Sequence, residues 1–468
     1  MNRELVINKG IKKDSKIILY GAGRHGRRFW EYNKRDDWCN IIAVLDKKWR
    51  ECRDFPQKVH PPQHIKTIKE FDIILISARD SKAQGEIILY LRDMGIPEEK
   101  ICLKTFQTIY YPEETCFTDG SLNEETDSLI IGFYLKYGGL GDQIIALKLY
   151  QELCRMIPGS YIDIFTTRKV FTDAVYAGQP NLRRIFAKEP KEGQYNEYDL
   201  FVEVSAQVFI KSINVNRIQS YSMTFFEKIS SHMAHQDKYY VDIPYGSYLD
   251  IVMLKRAKLR GKNKYTLYDA SAMFDITDSP AHIVINSEYV KDYEDICPKG
   301  LYATYNYGAQ AVKRGGKKQT KMWPAEYHKS LNKLFKNKYP DIALVQIGAE
   351  ECENIPGADA YILGENLEVV KHILKHSMFH FDCEGGLVHL ATQLGTKCIV
   401  VFGPTPIWYL GYEENINIGP KQCGECMAAS GSWFECYCFD RPECMYSIKP
   451  EVVMEHIDSY MKDIQSYG

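Results

Sequence analysis

An apolar strand that stops at paired glycines and resumes as a helix leaves a chain few ways to fold. Residues 378–405 contain that pattern: MFHFD, then CEGG, then LVHLATQLGT, then the apolar KCIVVFGPT. Strand, helix and strand in this order predict a parallel crossover in an α/β sheet buried on both faces. Leu387, Leu390, Ala391 and Leu394 fall on one face of the expected helix. Gly385 and Gly386 at its start free backbone N–H groups to face an anion, and the helix dipole favours negative charge there. The natural guest is a diphosphate. A carboxylate beside it would repel it, so Glu384 is better used on sugar or ribose hydroxyls, or on a cationic neighbour. His389, one turn into the helix, is within reach of a phosphate or base; read alone it is more often a satisfied core histidine, and its neighbours favour the ligand role. Thr405, after Gly403-Pro404, either contacts the same ligand or only turns the chain.

A chain of 468 residues exceeds one hydrophobic core and predicts about three domains at roughly 150 residues each. The first, 1–115, opens with strand-like KIILYG, the loop GAGRHG and a second strand, IIAVLD. Gly21, Gly23 and Gly26 match G-x-G-x-x-G, and Asp46 lies 20 residues beyond Gly26 at the end of the second strand. That spacing is the dinucleotide fingerprint, with Asp46 placed to accept from ribose hydroxyls. Bare strand-to-helix packing also uses such glycines, so NAD, another nucleotide or no ligand all remain open. FDIILISA and AQGEIILYLRDMG extend the unit as strand and helix. The polar stretch 112–126, YPEETCFTDGSLNEE, reads as a linker.

A second unit, 127–297, begins with strand LIIGFYL, the loop KYGGLGDQ, and a helix carrying Ala146, Leu149, Tyr150 and Leu153 on one face. Strands follow in YIDIFTT and DLFVEV; residues 209–296 show no readable pattern. The third unit, 298–468, alternates strand and helix: LYATYNYG, a basic loop with Lys313, Arg314, Lys317 and Lys318, MWPAEYHKSLNKLF entered through Pro324 at its first turn, IALVQIG, AYILG, LEVVKHILKH, the 378–405 segment, and PEVVMEHIDSYMKDI. Two such lobes in tandem predict a cleft where ligands sit at the carboxyl ends of the strands.

Composition limits the partners. Hydrophobic residues make up 45%, and the formal charge is −2, so no broad basic field favours nucleic acid or an anionic membrane. The N-terminus lacks the apolar core of a signal peptide, and no apolar run nears the roughly 20 residues of a transmembrane segment. A cytoplasmic enzyme is the expectation. Five of 14 cysteines, Cys423, Cys426, Cys436, Cys438 and Cys444, crowd into segment 423–444. In a reducing compartment that spacing points to a structural metal, Zn or Fe. Four places for five thiols leave one of Cys436 and Cys438 spare.

The run GGLVHLA, then LGT, then VFGPT resembles the donor-site signature of the ADP-heptose:lipopolysaccharide heptosyltransferase family, inverting enzymes of GT-B fold. GGLGDQIIALKLYQEL resembles the family's first glycine loop, KMWPAEYH its lysine-Trp-Pro block, and the tail ending CMYSIKPEVV its C-terminal block. The resemblance covers about 128–460. It implies two Rossmann-like lobes of a GT-B glycosyltransferase, an acceptor lobe and a donor lobe, here preceded by a small Rossmann-like domain outside the family pattern. It places the general base at Asp142 and the diphosphate-binding lysine at Lys321, with Gly139, Glu384, Gly385, Gly386, His389 and Thr405 around the donor. Family members commonly carry Asp-Thr-Gly where this chain has Glu384-Gly385-Gly386. That variant and the cysteine-rich tail resemble the branch that glycosylates autotransporter proteins, in which cysteines bind iron.

The chemistry agrees with those assignments. Sugar transfer from a nucleoside diphosphate needs a base for the acceptor hydroxyl, a cation or dipole for the leaving diphosphate, and exclusion of water, but no catalytic metal. Asp142 competes with a plain helix-capping role, and Lys321 with a solvated charge. The expected activity is inverting transfer of a sugar, such as heptose from an ADP-heptose-like donor, to a glycan, lipid-glycan or protein hydroxyl. The alternatives are an NAD-dependent sugar-nucleotide oxidoreductase, against which the first 115 residues lack Tyr-x-x-x-Lys, and a non-catalytic nucleotide-sugar-binding protein.

Overall fold

The computed structural model describes residues 11–467 apart from 24–25, 28, 31–32, 35–38, 79–80, 104–113, 117–127, 137, 206, 240–253, 270, 278, 292–295, 308–320, 351, 422, 428–435 and 437. The basic loop and most of the expected linker therefore lie outside the described residues. The chain forms two compact units, Met1–Glu113 and Glu114–Gly468.

In the first unit, β1 (Lys16–Tyr20), β2 (Asn40–Leu45), β3 (Val59–His60), β4 (Ile73–Ile76) and β5 (Ile101–Leu103) form a parallel sheet in the order β3-β2-β1-β4-β5. Ile17, Ile18, Leu19, Val44, Leu45, Ile74 and Leu75 are wholly buried, which is why these strands read as unbroken apolar runs rather than alternating ones. Helix α1 (Ser81–Asp93) follows β4.

The second unit contains two further sheets. One joins β6 (Glu114–Cys116), β7 (Ile130–Leu135), β8 (Tyr161–Thr166), β9 (Leu182–Phe186), β10 (Leu200–Val204) and β11 (Val208–Ile213) in the order β11-β10-β7-β8-β9-β6. Its inner strands are parallel, while β6 and β11 pair antiparallel at the two edges. The stretch read as a linker thus supplies an edge strand, hydrogen-bonded to β9 despite its polar sequence. An edge strand has one face of its ladder open to water and needs no apolar run. Helix α2 (Leu140–Met156) leaves β7 with Ala146, Leu149, Tyr150 and Leu153 all buried, and α3 (Lys169–Tyr176) leaves β8. The unreadable region includes helices and the one-turn α4 (Lys264–Leu267).

The other sheet joins β12 (Tyr302–Asn306), β13 (Ala343–Gly348), β14 (Ala360–Leu363), β15 (His380–Cys383), β16 (Cys398–Val401) and β17 (Ile416–Ile418) in the order β14-β13-β12-β15-β16-β17, all parallel. This is the doubly wound order, with its reversal between β12 and β15. The helices are α5 (Ala325–Lys338), α6 (Leu367–Lys375), α7 (Gly386–Gln393), α8 (Ile407–Leu410) and α9 (Pro450–Tyr467). Pro324 is the N-cap of α5 rather than part of its first turn. A lysine of α6 ties the two lobes of this unit. Lys371 of α6 is fully buried; its ammonium donates to Ala174 O at 2.8 Å and Val284 O at 2.5 Å and pairs with Glu368.

Candidate active site

Two glycine turns meet in the second unit. At the end of β7, Gly138 has φ +111°, and a Cβ there would lie 2.4 Å from the Asp142 Cβ. At the end of β15, Gly385 is the N-cap of α7, with no side chain capping it. The starts of α2 and α7 then pack on each other: a Cβ on Gly386 would stand 3.3 Å from Gly141 N, and one on Gly141 would stand 2.5 Å from the His389 ring. A side chain at Gly141 would collide with the His389 ring, and one at Gly386 would press on Leu140 and Gly141, so the glycines let the two helix starts approach closely.

Around this junction lie the charged groups. Asp142 Oδ2 accepts from Gly139 N–H at 3.0 Å, and Oδ1 accepts from the Lys264 ammonium. Asp142 keeps 38% of its side-chain surface open. Burial alone would raise its pKa, but the Lys264 charge and hydrogen bond, with Gly139 N–H, hold it below the ordinary aspartate value. Across the junction Lys321 Nζ lies 2.7 Å from Glu384 Oε2, which also accepts the Thr405 hydroxyl at 3.0 Å. Burial again opposes ionisation, and the Lys321 charge and hydrogen bond outweigh it, so Glu384 stays below the ordinary glutamate range. His389 lies between the two ion pairs. Its Nδ1 shares a hydrogen bond with Tyr412 Oη at 2.9 Å, and its Nε2 is 3.9 Å from Glu384 Oε1. Desolvation lowers it to about 4, so its ring is neutral at pH 7.

The local sequence explains how Lys321 reaches this place. Two residues on, Trp323 is wholly buried; its Nε1 donates to Ile448 O at 2.9 Å and its backbone N–H to Cys383 Sγ at 3.3 Å. The indole pins the strand-to-helix turn beside β15, and Lys321 projects from that anchor to Glu384. The structure therefore brings Gly139, Asp142, Lys321, Glu384, Gly385, Gly386, His389 and Thr405 together. It adds Lys264 and Tyr412. Lys264 lies 122 residues from its partner, in a stretch with no motif; Tyr412 follows VFGPT closely but outside any motif.

The first-unit fingerprint is organised differently. Asp46 Oδ2 accepts Ala22 N–H and Oδ1 accepts Lys48 N–H, both at 2.7 Å. Gly21 has φ +119°, and a Cβ on Gly26 would stand 1.8 Å from Gly21 O, whereas nothing lies within 4 Å of one on Gly23. Packing demands two of the glycines and leaves Gly23 open. Gly26→Ala is expected to destabilise the first unit by about 1–3 kcal/mol or more, and Gly23→Ala by no more than about 0.5 kcal/mol, read from chemical denaturation.

The tail thiols sense one another. Burial, then Cys423, Cys438 and Cys436, raises Cys426; burial, then Cys423, Cys426 and Cys436, pushes Cys444 up to about 12. Gly424 and Glu425, inside the C-x-x-C, both have positive φ, at +155° and +53°, a tight knuckle between two sulfurs. Among the described residues, no three His, Cys, Asp or Glu side chains stand in a metal-holding arrangement. The donor type fits a thiophilic metal.

No protein-family sequence model matches the chain, and neither does any curated protein sequence. Solved structures do. The chain is similar to E. coli ADP-heptose lps heptosyltransferase II, at 11% identity and TM-score 0.45, over 72% of this chain and 99% of that one. It is similar to the glycosyl transferase family 9 protein of Veillonella parvula DSM 2008, at 12% and 0.44, over 72% and 100%. It is also similar to TibC, a bacterial iron-containing dodecameric glycosyltransferase from enterotoxigenic E. coli H10407, at 11% and 0.46, over 72% and 78%. No helix among the described residues is long and apolar enough to cross a membrane.

Proposed function

We propose that this chain is an inverting glycosyltransferase that moves a sugar, with heptose the first candidate, from a nucleoside diphosphate to a hydroxyl of a glycan, lipid-glycan or protein acceptor. The observation that carries the reading is the solvent-open Asp142 carboxylate at the start of α2, facing the uncapped start of α7 and the Lys321–Glu384 pair. The acceptor oxygen forms a bond to the anomeric carbon as the bond from that carbon to the diphosphate oxygen breaks. The acceptor proton passes to Asp142, and the electron pair leaves with the diphosphate. A single displacement of this kind inverts the anomeric centre. The start of α7 and the Lys321 ammonium stabilise the departing charge. Glu384 orients Lys321 and remains close enough for donor hydroxyls.

Titration calorimetry with ADP, GDP, UDP and CDP tests the reading. One diphosphate is expected to bind in the micromolar range; no binding by any of the four overturns it. The bound base then names the sugar nucleotides to assay for turnover.

The cysteine segment is proposed to hold a structural zinc or iron on Cys423, Cys426, Cys444 and one of Cys436 and Cys438, ordering the tail without entering the reaction. Elemental analysis is expected to show about one metal per chain, and chelation to lower the unfolding temperature. Metal-free protein with unchanged unfolding in added zinc and ferrous iron sinks this assignment.

A further inference from the structure

Lys264 lies outside every sequence block that points to sugar transfer, yet it makes the nearest charged contact to Asp142. Its position is fixed from several sides. Asn263 caps α4, its side chain accepting Thr266 N–H at 3.0 Å. The next residue, Tyr265, stacks on Tyr412 with ring centroids 4.7 Å apart and donates its hydroxyl to Leu410 O at 2.9 Å. One turn on, Tyr268 donates to Ser205 O at 3.1 Å, just past β10. Helix α4 therefore touches both lobes, and the Lys264 stem has only 23% of its surface open. This ammonium is a fixed charge rather than a wandering surface lysine.

We propose that Lys264 is the positioning residue of the general base: it holds the Asp142 carboxylate in one orientation, with Oδ2 on Gly139 N–H and Oδ1 on its own ammonium. The inference rests on the glycosyltransferase reading. A compensating charge beside a partly covered carboxylate favours its proton-accepting form. The other titratable groups do not supply one. His389, from α7, is neutral at pH 7; Tyr268, from α4, is pushed up by burial first and stays a neutral phenol; Tyr409, from α8, faces Lys264 rather than Asp142. Lys321 is across the junction on Glu384. Once Asp142 has taken the acceptor proton, the same ammonium favours its release through the open face of the carboxyl, which resets the base.

The test combines a titration that needs no substrate with a rate that does. The Asp142 carboxyl is followed by carbon NMR in the unliganded full chain, assigned by its loss in Asp142→Asn, and ADP release from ADP-heptose is followed against pH. In Lys264→Gln the Asp142 midpoint is expected to move upward. The rate is expected to fall more at acidic than at alkaline pH. Lys264→Arg is expected to restore both, which separates the charge from simple packing, and it keeps the test valid if Lys264→Gln folds poorly. An unchanged Asp142 midpoint in Lys264→Gln overturns the positioning role whatever the protein transfers. A shifted midpoint combined with wild-type ADP release by Asp142→Asn leaves the ion pair intact and overturns the transferase reading instead.

Discussion

Asp142→Asn is expected to lower the rate of sugar transfer by about 10²- to 10⁴-fold, the usual contribution of a positioned general base, while leaving nucleoside-diphosphate binding nearly unchanged and costing some stability through the Lys264 ammonium it leaves without a carboxylate. The asparagine matters as much as the loss. Asp142 has a second, structural task, because its Oδ2 accepts the Gly139 N–H at the start of α2. An asparagine oxygen still accepts that bond, so the capping contribution of about 1 kcal/mol survives. Asp142→Ala removes both roles. If capping were the whole purpose of the residue, Asn would behave as wild type and only Ala would suffer. A base gives a different pattern: both variants lose turnover and the Lys264 ion pair, and Ala, which also loses the Gly139 contact, unfolds earlier than Asn. His389 is the rival base, since its imidazole is neutral at pH 7. Its Nδ1 is engaged with Tyr412 and the residue is almost wholly buried, which leaves Asp142 better exposed to an incoming hydroxyl. Turnover measured with both aspartate variants beside their unfolding temperatures separates these accounts.

What the sequence revealed and what it hid follow from the range of the interactions involved. The turns at Gly138 and Gly385-Gly386 are legible because a strand end, a glycine and the first turn of a helix are neighbours in the chain. The parallel strands are legible because burial on both faces makes them apolar throughout. The meeting of α2 with α7 joins segments some 240 residues apart in the numbering of Gly141 and Gly386, and no local pattern encodes it. Lys264 is hidden for the same reason, and because a one-turn helix has no periodicity to read. Strand β6 is hidden because a polar edge strand and a polar linker have similar compositions. In the first unit, G-x-G-x-x-G follows β1, and Asp46 directs its carboxylate to Ala22 and Lys48 N–H. Spacing alone cannot separate that use from a ribose contact.

Lys321→Ala is expected to weaken nucleoside-diphosphate binding about 10- to 100-fold, the loss of one charge-assisted hydrogen bond worth about 1.5–3 kcal/mol, and also to destabilise the free protein. The second effect arises from Glu384, whose side chain is only 8% exposed. Removing its cation leaves a buried carboxylate with the Thr405 hydroxyl and a neutral histidine, and breaking a buried pair from one side costs up to about 3–5 kcal/mol. The pH dependence has a definite sign. In the wild type, Glu384 titrates below its ordinary value, so its contribution to stability is present above the unfolded glutamate pKa and is lost as pH falls through the folded one. In Lys321→Ala, burial is no longer offset and the folded pKa rises above the unfolded one. The variant is then weakest near neutral pH and recovers relative to wild type on acidification, as the carboxyl takes up a proton. Adding Glu384→Gln removes the unpaired charge and should restore stability at neutral pH without restoring the diphosphate site. Calorimetry with the bound diphosphate and thermal unfolding at about pH 5 and about pH 8 resolve the two effects. Full stability with lost binding would make Lys321 a ligand contact alone; lost stability with intact binding would place the leaving-group charge entirely on the helix start at Gly385-Gly386.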